Sequence, residues 1–419
     1  MIYEIKAPYF VNVRIDLPKS KSISARALIM NALCAKPTRI VNLAQCDDTD
    51  VMVSALDAAL QHDHASTIDI GAAGTAMRFL TAYLATQPGE WILTGTERMR
   101  NRPIGLLVDA LRSIGADIEY VENDGFPPLR IMGKKLIGGE IILDGSVSSQ
   151  YISALLMIAP VMTEGLRLSL TGEIISKPYI DLTVKMMQQF GIETRVAERS
   201  ITVPPGEYHA AQSFEVESDW SAASYWYEIA AISRDSGTTI ELLGLREDSL
   251  QGDAAIVKLF DLLGVKSTFT PKGVILTLQP NSFGYQLFCY DFLAMPDIAQ
   301  TAVATCVALN VKFVFTGLQS LKIKETDRLH ALKVEFEKFG VPLMISDNDC
   351  LEWSGFRLCR QPSPVIETYE DHRMAMAFAP LALLRYEEGI RINNPGVVTK
   401  SYPAYWDDLR LTKFIINEL

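Results

Sequence analysis

The seven residues Lys322-Ile323-Lys324-Glu325-Thr326-Asp327-Arg328 put two anion-binding cations, Lys324 and Arg328, beside two carboxylates able to act as acid or base, Glu325 and Asp327. They precede an apolar helical pattern, Leu329, Leu332 and Phe336. A loop feeding a helix start offers unpaired backbone N–H groups and a positive dipole end, which suits phosphate or carboxylate. The same residues also fit a solvated cap, with Thr326 as N-cap and the charges paired at helical spacing.

The chain repeats this arrangement. Pro18-Lys-Ser-Lys-Ser-Ile-Ser-Ala-Arg26 sets cations and hydroxyls, among them Lys21, Ser22 and Arg26, ahead of a helix through Ala27–Leu33, without the glycine spacing of a P-loop. Gly71-Ala-Ala-Gly74-Thr-Ala-Met-Arg78 enters a helix to Leu84, its small residues allowing close approach to backbone N–H groups. Arg98, Arg100 and Arg102 alternate, which in an extended segment puts them on one side, and Pro103 is set to begin a helix. Helices also open at Ser146–Gln150, which includes Ser148 and Ser149, and at Ser176-Lys177-Pro178. Asp297 stands before a helix Ala299–Ala308, as a simple N-terminal acid or as a base facing a cleft. Asp371-His372-Arg373 and Lys400 follow.

These clusters sit in an acidic chain of 419 residues, with 39 Lys plus Arg against 50 Asp plus Glu and a net charge of -11. That balance excludes a general nucleic-acid or membrane-surface binder, both of which need a basic face. Cationic helix starts aimed at one cleft instead make a pocket for small, multiply charged anions, with Asp297 and Glu325 as acid–base groups. The six cysteines show no CxxC and read as reduced structural thiols. His62 and His64 lack further ligands and read as solvated loop, so no metal is expected. The N-terminus has no signal-peptide pattern, and the apolar stretch Ile152–Met162 is too short to span a bilayer. A soluble cytoplasmic protein is expected.

The positioning elements repeat. An amphipathic helix, a glycine and a strand-like run recur at Gly115, Gly191, Gly264 and Gly340. A helical Val53–Leu60 lacks its glycine and strand, and a final helix is expected over Leu409–Leu419. The pattern predicts six α/β units, the first abbreviated, in two domains of three. The boundary falls near Ser218–Ser221, between a strand Ser213–Val216 and a helix Ala222–Ile232.

The stretches LPKSKSISARAL, GAAGTAMR, RPIG, DGSVSSQYISALLM, SKPYID, LQGD, KETDRL, DHRMAM and TKSYP, in this order, closely resemble the 5-enolpyruvylshikimate-3-phosphate synthase family, from Leu17 to Pro403. The resemblance implies an α/β (α+β) two-domain enolpyruvyl transferase fold, each domain holding three βαβαββ units. Residues 1–17 with 218–419 would form a discontinuous domain carrying both termini, 18–217 an inserted second domain, and the active site an interdomain cleft. It implies transfer of an enolpyruvyl group from phosphoenolpyruvate to the 5-hydroxyl of shikimate 3-phosphate, by a cytoplasmic monomer without cofactor, nucleic-acid partner or membrane. Lys21, Ser22, Arg26, Ser148, Ser149, Gln150, Ser176, Asp297 and Lys324 would hold shikimate 3-phosphate. Lys21, Gly74, Arg102, Gln150, Arg328, Arg373 and Lys400 would hold phosphoenolpyruvate. Lys21, Asp297 and Glu325 would be catalytic, Asp297 taking the hydroxyl proton and Glu325 protonating the methylene carbon.

Lys19, Ala25, Ala72, Phe79 and Ser320 depart from the family pattern, as does the shortened segment His62–Thr67. These changes would loosen substrate positioning or shift the response to phosphonates such as glyphosate. Two alternatives compete: a UDP-N-acetylglucosamine enolpyruvyl transferase, whose loop cysteine is absent from 91–103, and a non-catalytic metabolite-binding relative.

Overall fold

The computed structural model describes all residues except 62–65, 210–211, 234, 236, 280–286, 348, 360–363 and 386–387, together with the side chain of residue 61. His62 and His64 therefore lie outside the described residues. The chain forms two compact units, Met1–Pro18 with Glu217–Leu419, and Lys19–Val216.

The discontinuous unit contains three four-stranded sheets of one pattern: two parallel strands, then an antiparallel pair. In the first, Asn12–Asp16 lies parallel to Thr239–Leu243, which pairs antiparallel with Gly273–Leu278 and so leads to Val265–Thr270. The second runs Phe288–Asp291, Phe313–Thr316, Cys350–Trp353, Met344–Ser346. The third runs Val365–Ile366, Ile390–Asn393, Ile2–Lys6, Ile415–Glu418, with Ile2–Lys6 paired on both sides by C-terminal strands. Parallel strands need a crossover, and helices Trp220–Ile232, Ala299–Ala308 and His372–Phe378 supply them. These helices are apolar nearly all round, so they fill the core rather than cover it.

The second unit repeats the pattern twice, in Ser66–Asp69, Gly89–Thr94, Leu129–Gly133, Asp117–Tyr120 and in Gly139–Asp144, Leu166–Thr171, Ser200–Val203, Arg195–Ala197. Among the described residues its remaining sheet is the parallel pair Arg39–Val41 and Ser213–Glu215. The glycines at 115, 191, 264 and 340 all take positive φ, the conformation that ends a helix at least cost.

Four local expectations are corrected. The last helix is Tyr405–Leu411, and Leu409–Leu419 is not one element: Lys413 takes φ 69, and Ile415–Glu418 is a strand, its Ile416 opposite Ile5. The β-branched Ile415-Ile416 and pairing with Ile2–Lys6 outweigh the helical pattern. The first helix begins at Lys21, capped by Ser20, so Lys21, Ser22 and Arg26 sit within it. The arginine run is not extended; Glu97–Arg100 is a single helical turn capped by Thr96, which disperses Arg98, Arg100 and Arg102. The helix after Thr326 is capped by Asp327, whose carboxylate accepts from the His330 amide at 3.1 Å.

Candidate active site

In the discontinuous unit the centre of charge is Arg328, first residue of helix Arg328–Lys338 and 1% exposed. Its Nε donates to Asp371 Oδ2 at 2.7 Å, Nη1 to Asp297 Oδ1 at 3.0 Å, and Nη2 to Glu325 Oε2 at 2.8 Å and Asp371 Oδ1 at 3.4 Å. Burial alone would lower its basicity, but Asp371, Glu325 and Asp297 raise it above the ordinary arginine value. Asp371 is fully buried, caps helix His372–Phe378 at Arg373 N, and follows two residues of positive φ, Tyr369 and Glu370. That backbone exists where surrounding packing overdetermines it. Tyr369 is tied there by its hydroxyl, which donates to Glu335 at 2.7 Å.

Around this hub, Arg373 Nη2 lies 3.1 Å from Asp297 Oδ2, and its Nη1 donates to the Asp297 main-chain oxygen at 3.2 Å. Lys324 Nζ is 3.6 Å from Asp297 Oδ1, and Lys400 Nζ is 3.8 Å from Glu325 Oε1. Burial would raise the Asp297 pKa, yet Arg373, Lys324 and Arg328 outweigh it and hold that carboxyl well below the usual range. Asp297 and Glu325, both proposed acid–base groups, are thus anchored on the two amino nitrogens of one guanidinium, each with its own second cation.

In the inserted unit four helix starts lie side by side. Arg26, 3% exposed, donates to Thr183 Oγ1 at 2.7 Å, Ser153 Oγ at 3.2 Å, and the carbonyls of Ser22 at 2.9 Å and Tyr179 at 3.3 Å. It ties helix Lys21–Ala32 to Ser149–Ile158 and Lys177–Gln189, and burial lowers its pKa to about 10. Its guanidinium lies 5.3 Å over the ring of Phe79, so that departure from the family pattern sits in the core beneath the arginine. Gln150 Nε2 donates to Thr75 Oγ1 at 3.0 Å, which joins helix Ser149–Ile158 to the start of Gly74–Thr86. Ser148 caps its helix at Gln150 N, while Ser176 is a left-handed N-cap, φ 55, without a side-chain cap bond. Lys21 Nζ donates to Asp48 Oδ2 at 2.8 Å, and the Ser22 hydroxyl lies 3.2 Å from that of Ser20. Gly74 is packed on Arg102: a Cβ there would stand 2.5 Å from Nη1.

The sequence candidates therefore form two constellations, one in each unit. Asp297, Lys324, Glu325, Arg328, Arg373 and Lys400 make the first. Lys21, Ser22, Arg26, Gly74, Arg102, Ser148, Ser149, Gln150 and Ser176 lie at the helix starts of the second. Sequence reasoning missed Asp371 as the third carboxylate on Arg328, beside Asp297 and Glu325, and Ser221 with Asp253. Asp253 is 4% exposed, and its Oδ2 is hydrogen-bonded to Ser221 Oγ, which accepts from Arg373 Nη2 at 3.4 Å. Its signal was the quoted LQGD stretch, where an acid at a helical turn reads as an ordinary N-terminal residue. No group of three or more His, Cys, Asp or Glu fit to hold a metal occurs among the described residues.

A sequence profile for EPSP synthase (3-phosphoshikimate 1-carboxyvinyltransferase) matches residues 5–66 and 57–409. The 3-phosphoshikimate 1-carboxyvinyltransferase of Bacteroides fragilis (strain YCH46) is 54% identical over 418 residues, covering 100% of this chain and 99% of that protein. The protein of the same name from Sulfurovum sp. (strain NBC37-1) is 37% identical over 429 residues, covering 97% of each. Among solved structures, EPSP synthase from Acinetobacter baumannii superposes with a TM-score of 0.76 at 20% identity over 100% of both chains. The enolpyruvyl transferase NikO from Streptomyces tendae gives 0.73 at 15% identity, over 99% of this chain and 98% of that one. At these identities the two structures speak for the fold.

Proposed function

The chain belongs to the EPSP synthase family, and from that premise we propose how its residues carry out enolpyruvyl transfer from phosphoenolpyruvate to the 5-hydroxyl of shikimate 3-phosphate, with release of phosphate. The observation that carries the mechanism is the shared guanidinium of Arg328, which fixes a base and an acid relative to each other.

The reaction is an addition followed by an elimination. In the first step the 5-hydroxyl oxygen bonds to C2 of phosphoenolpyruvate and a proton reaches C3, giving a tetrahedral intermediate. In the second, C3 loses a proton, phosphate leaves C2, and the double bond is restored. Asp297 takes the hydroxyl proton and Glu325 supplies the proton to C3. Held among three cations, Asp297 is a weak base in the ligand-free protein. Substrate phosphate and carboxylate groups compete for Arg373, Lys324 and Arg328, and this competition returns basicity to Asp297 as the ligands arrive.

The residues of both units serve the one reaction in this reading. Arg373, Lys400 and the remaining donor of Arg328 meet phosphoenolpyruvate, with Lys21, Arg102 and Gln150 beside Gly74. Ser148, Ser149 and Ser176 take the phosphate of shikimate 3-phosphate, with Ser22, Lys21, Asp297 and Lys324 on its ring. Arg26 acts from behind, since its bonds hold three helix starts in place. Cations stabilise the charge that develops in the intermediate, Lys21 among them. A cytoplasmic monomer acting on two small anions belongs to the same reading; no helix among the described residues is long and apolar enough to cross a membrane.

The test is phosphate release from phosphoenolpyruvate, with and without shikimate 3-phosphate, for the wild type and Glu325→Gln. Release should require both substrates and fall about 10²-fold or more in the variant, with KM values little changed. Release without shikimate 3-phosphate would contradict the transfer reaction, and an unaffected variant would remove Glu325 from its role.

A further inference from the structure

Asp253 is a buried acid whose position its own helix does not explain. It lies in the helical turn Gly252–Ala255, but no side-chain cap bond is made at that turn's start. Its Oδ2 reaches across to Ser221, in the first turn of helix Trp220–Ile232, where capping is already done by Asp219. Its Oδ1 has no hydrogen-bond partner among the described residues. A buried polar oxygen left unpaired is costly and needs a reason.

We propose that Asp253 is a positioning residue for anion binding, acting through Ser221 on the Arg373 guanidinium; the identity of the anion as phosphoenolpyruvate rests on the function proposed above. The partners of Arg373 include the Asp297 carboxylate at 3.1 Å, the Asp297 carbonyl at 3.2 Å and Ser221 Oγ at 3.4 Å, and the Tyr225 side chain is hydrogen-bonded to it as well. Two of these belong to Asp297. Ser221 Oγ is oriented by Asp253.

Charge gives the second half of the argument. Lys324, Arg328, Arg373 and Lys400 face Asp297, Glu325 and Asp371 in this cluster, so four cations meet three carboxylates. A neutral Asp253 preserves that excess for an incoming anion, and an ionised one cancels it. The charged groups facing Asp253 are Asp297 before helix Ala299–Ala308, Arg373 on helix His372–Phe378, and Asp219 at the start of helix Trp220–Ile232. Burial, reinforced by Asp297, pushes its carboxyl up to about 7 against the opposing pull of Ser221 and Arg373. Anion binding then favours the protonated form, and affinity falls as pH rises through that value.

The experiment measures kcat/KM for phosphoenolpyruvate at saturating shikimate 3-phosphate, across about pH 5.5–8.5, for wild type, Asp253→Asn and Ser221→Ala. Substrate ionisations are common to all three and cancel in the ratios. The Asn variant, fixed in the neutral form, should gain on wild type by about five- to tenfold between pH 6 and 8.5. Ser221→Ala should raise KM for phosphoenolpyruvate at least about fivefold with kcat changed less than about twofold, a split that a purely structural role would not produce. Thermal melts confirm that each variant folds, and Asp253→Ala should be rescued in KM by Asp253→Asn. Ratios flat within about twofold over the whole range, or an unchanged KM in Ser221→Ala, would overturn the proposal. Calorimetric titration of phosphoenolpyruvate alone gives the same comparison without turnover, so a protein that binds but does not release phosphate counts against the transfer reaction and still decides the role of Asp253.

Discussion

Replacing Arg328 by methionine keeps most of the side-chain volume and removes only the charge on which Asp371, Asp297 and Glu325 converge. Asp297 and Glu325 retain Arg373, Lys324 and Lys400 as second partners, at 3.1, 3.6 and 3.8 Å. Asp371, 0% exposed, keeps only the helix-cap bond to Arg373 N and the His372 ring 3.9 Å away. Breaking one partner of a buried ion pair costs about 3–5 kcal/mol, because the surviving charge stays buried. At about 2–4 °C per kcal/mol for a unit of roughly 200 residues, the melting transition should fall by about 6–20 °C. Calorimetry or circular dichroism at pH 7.5 reads it, and about 0.5 M salt should change the loss little, since buried pairs are weakly screened. The double variant Arg328→Met/Asp371→Asn removes the stranded charge and should recover about 2 kcal/mol relative to the sum of the single changes. A melting point within about 2 °C of wild type, or strict additivity, would refute the view of Arg328 as the buried hub of this cluster.

Two further outcomes follow from other parts of the molecule. Gly74→Ala should push the Arg102 guanidinium away, since the new Cβ would stand 2.5 Å from Nη1; KM for phosphoenolpyruvate should rise at least about tenfold with shikimate 3-phosphate affected far less. Glu228 is fully buried, neither oxygen has a hydrogen-bond partner among the described residues, and burial raises its pKa well above the carboxylate range. The unfolded chain releases that proton near the ordinary value while the native protein keeps it, so wild-type stability falls as pH rises above about 4.3. Glu228→Gln abolishes this, and its unfolding free energy relative to wild type, read from denaturant melts, should climb between pH 5 and 8 by up to about 1.4 kcal/mol per pH unit; a constant difference across that range would sink the idea.

Much of this was legible in residue order because helix starts advertise themselves. Gly74, Ser148, Ser176 and Asp371 stand where small residues, hydroxyls and acids belong in a helix start, and the repeat glycines mark helix ends by the one conformation they adopt freely. What the sequence concealed was partnership. KETDR displays Glu325, Asp327 and Arg328 as equals, yet Asp327 is spent on a cap and Arg328 turns inward to an aspartate 43 residues away. Arg26 stands beside Lys21 and Ser22 in the sequence, and nothing there announces its bonds to Thr183 and Ser153, far along the chain. Local pattern also misjudged Arg98–Arg102 and Leu409–Leu419. A capping threonine decided the first, and pairing with Ile2–Lys6 decided the second.

The placement of Ile2–Lys6 between Ile390–Asn393 and Ile415–Glu418 has a consequence for the order in which the molecule is made. Ile2–Lys6 leaves the ribosome hundreds of residues ahead of both its partners, about 20–80 s at ordinary elongation rates. Asn12–Asp16 also waits, for Thr239–Leu243. In the interval Lys19–Val216 emerges as one continuous stretch that holds every partner for its own sheets. The inserted unit therefore has the means to complete itself first, while the opening strands remain open edges in need of protection. Stalled translation beyond residue 216 should leave a nascent chain whose middle resists protease and whose beginning does not.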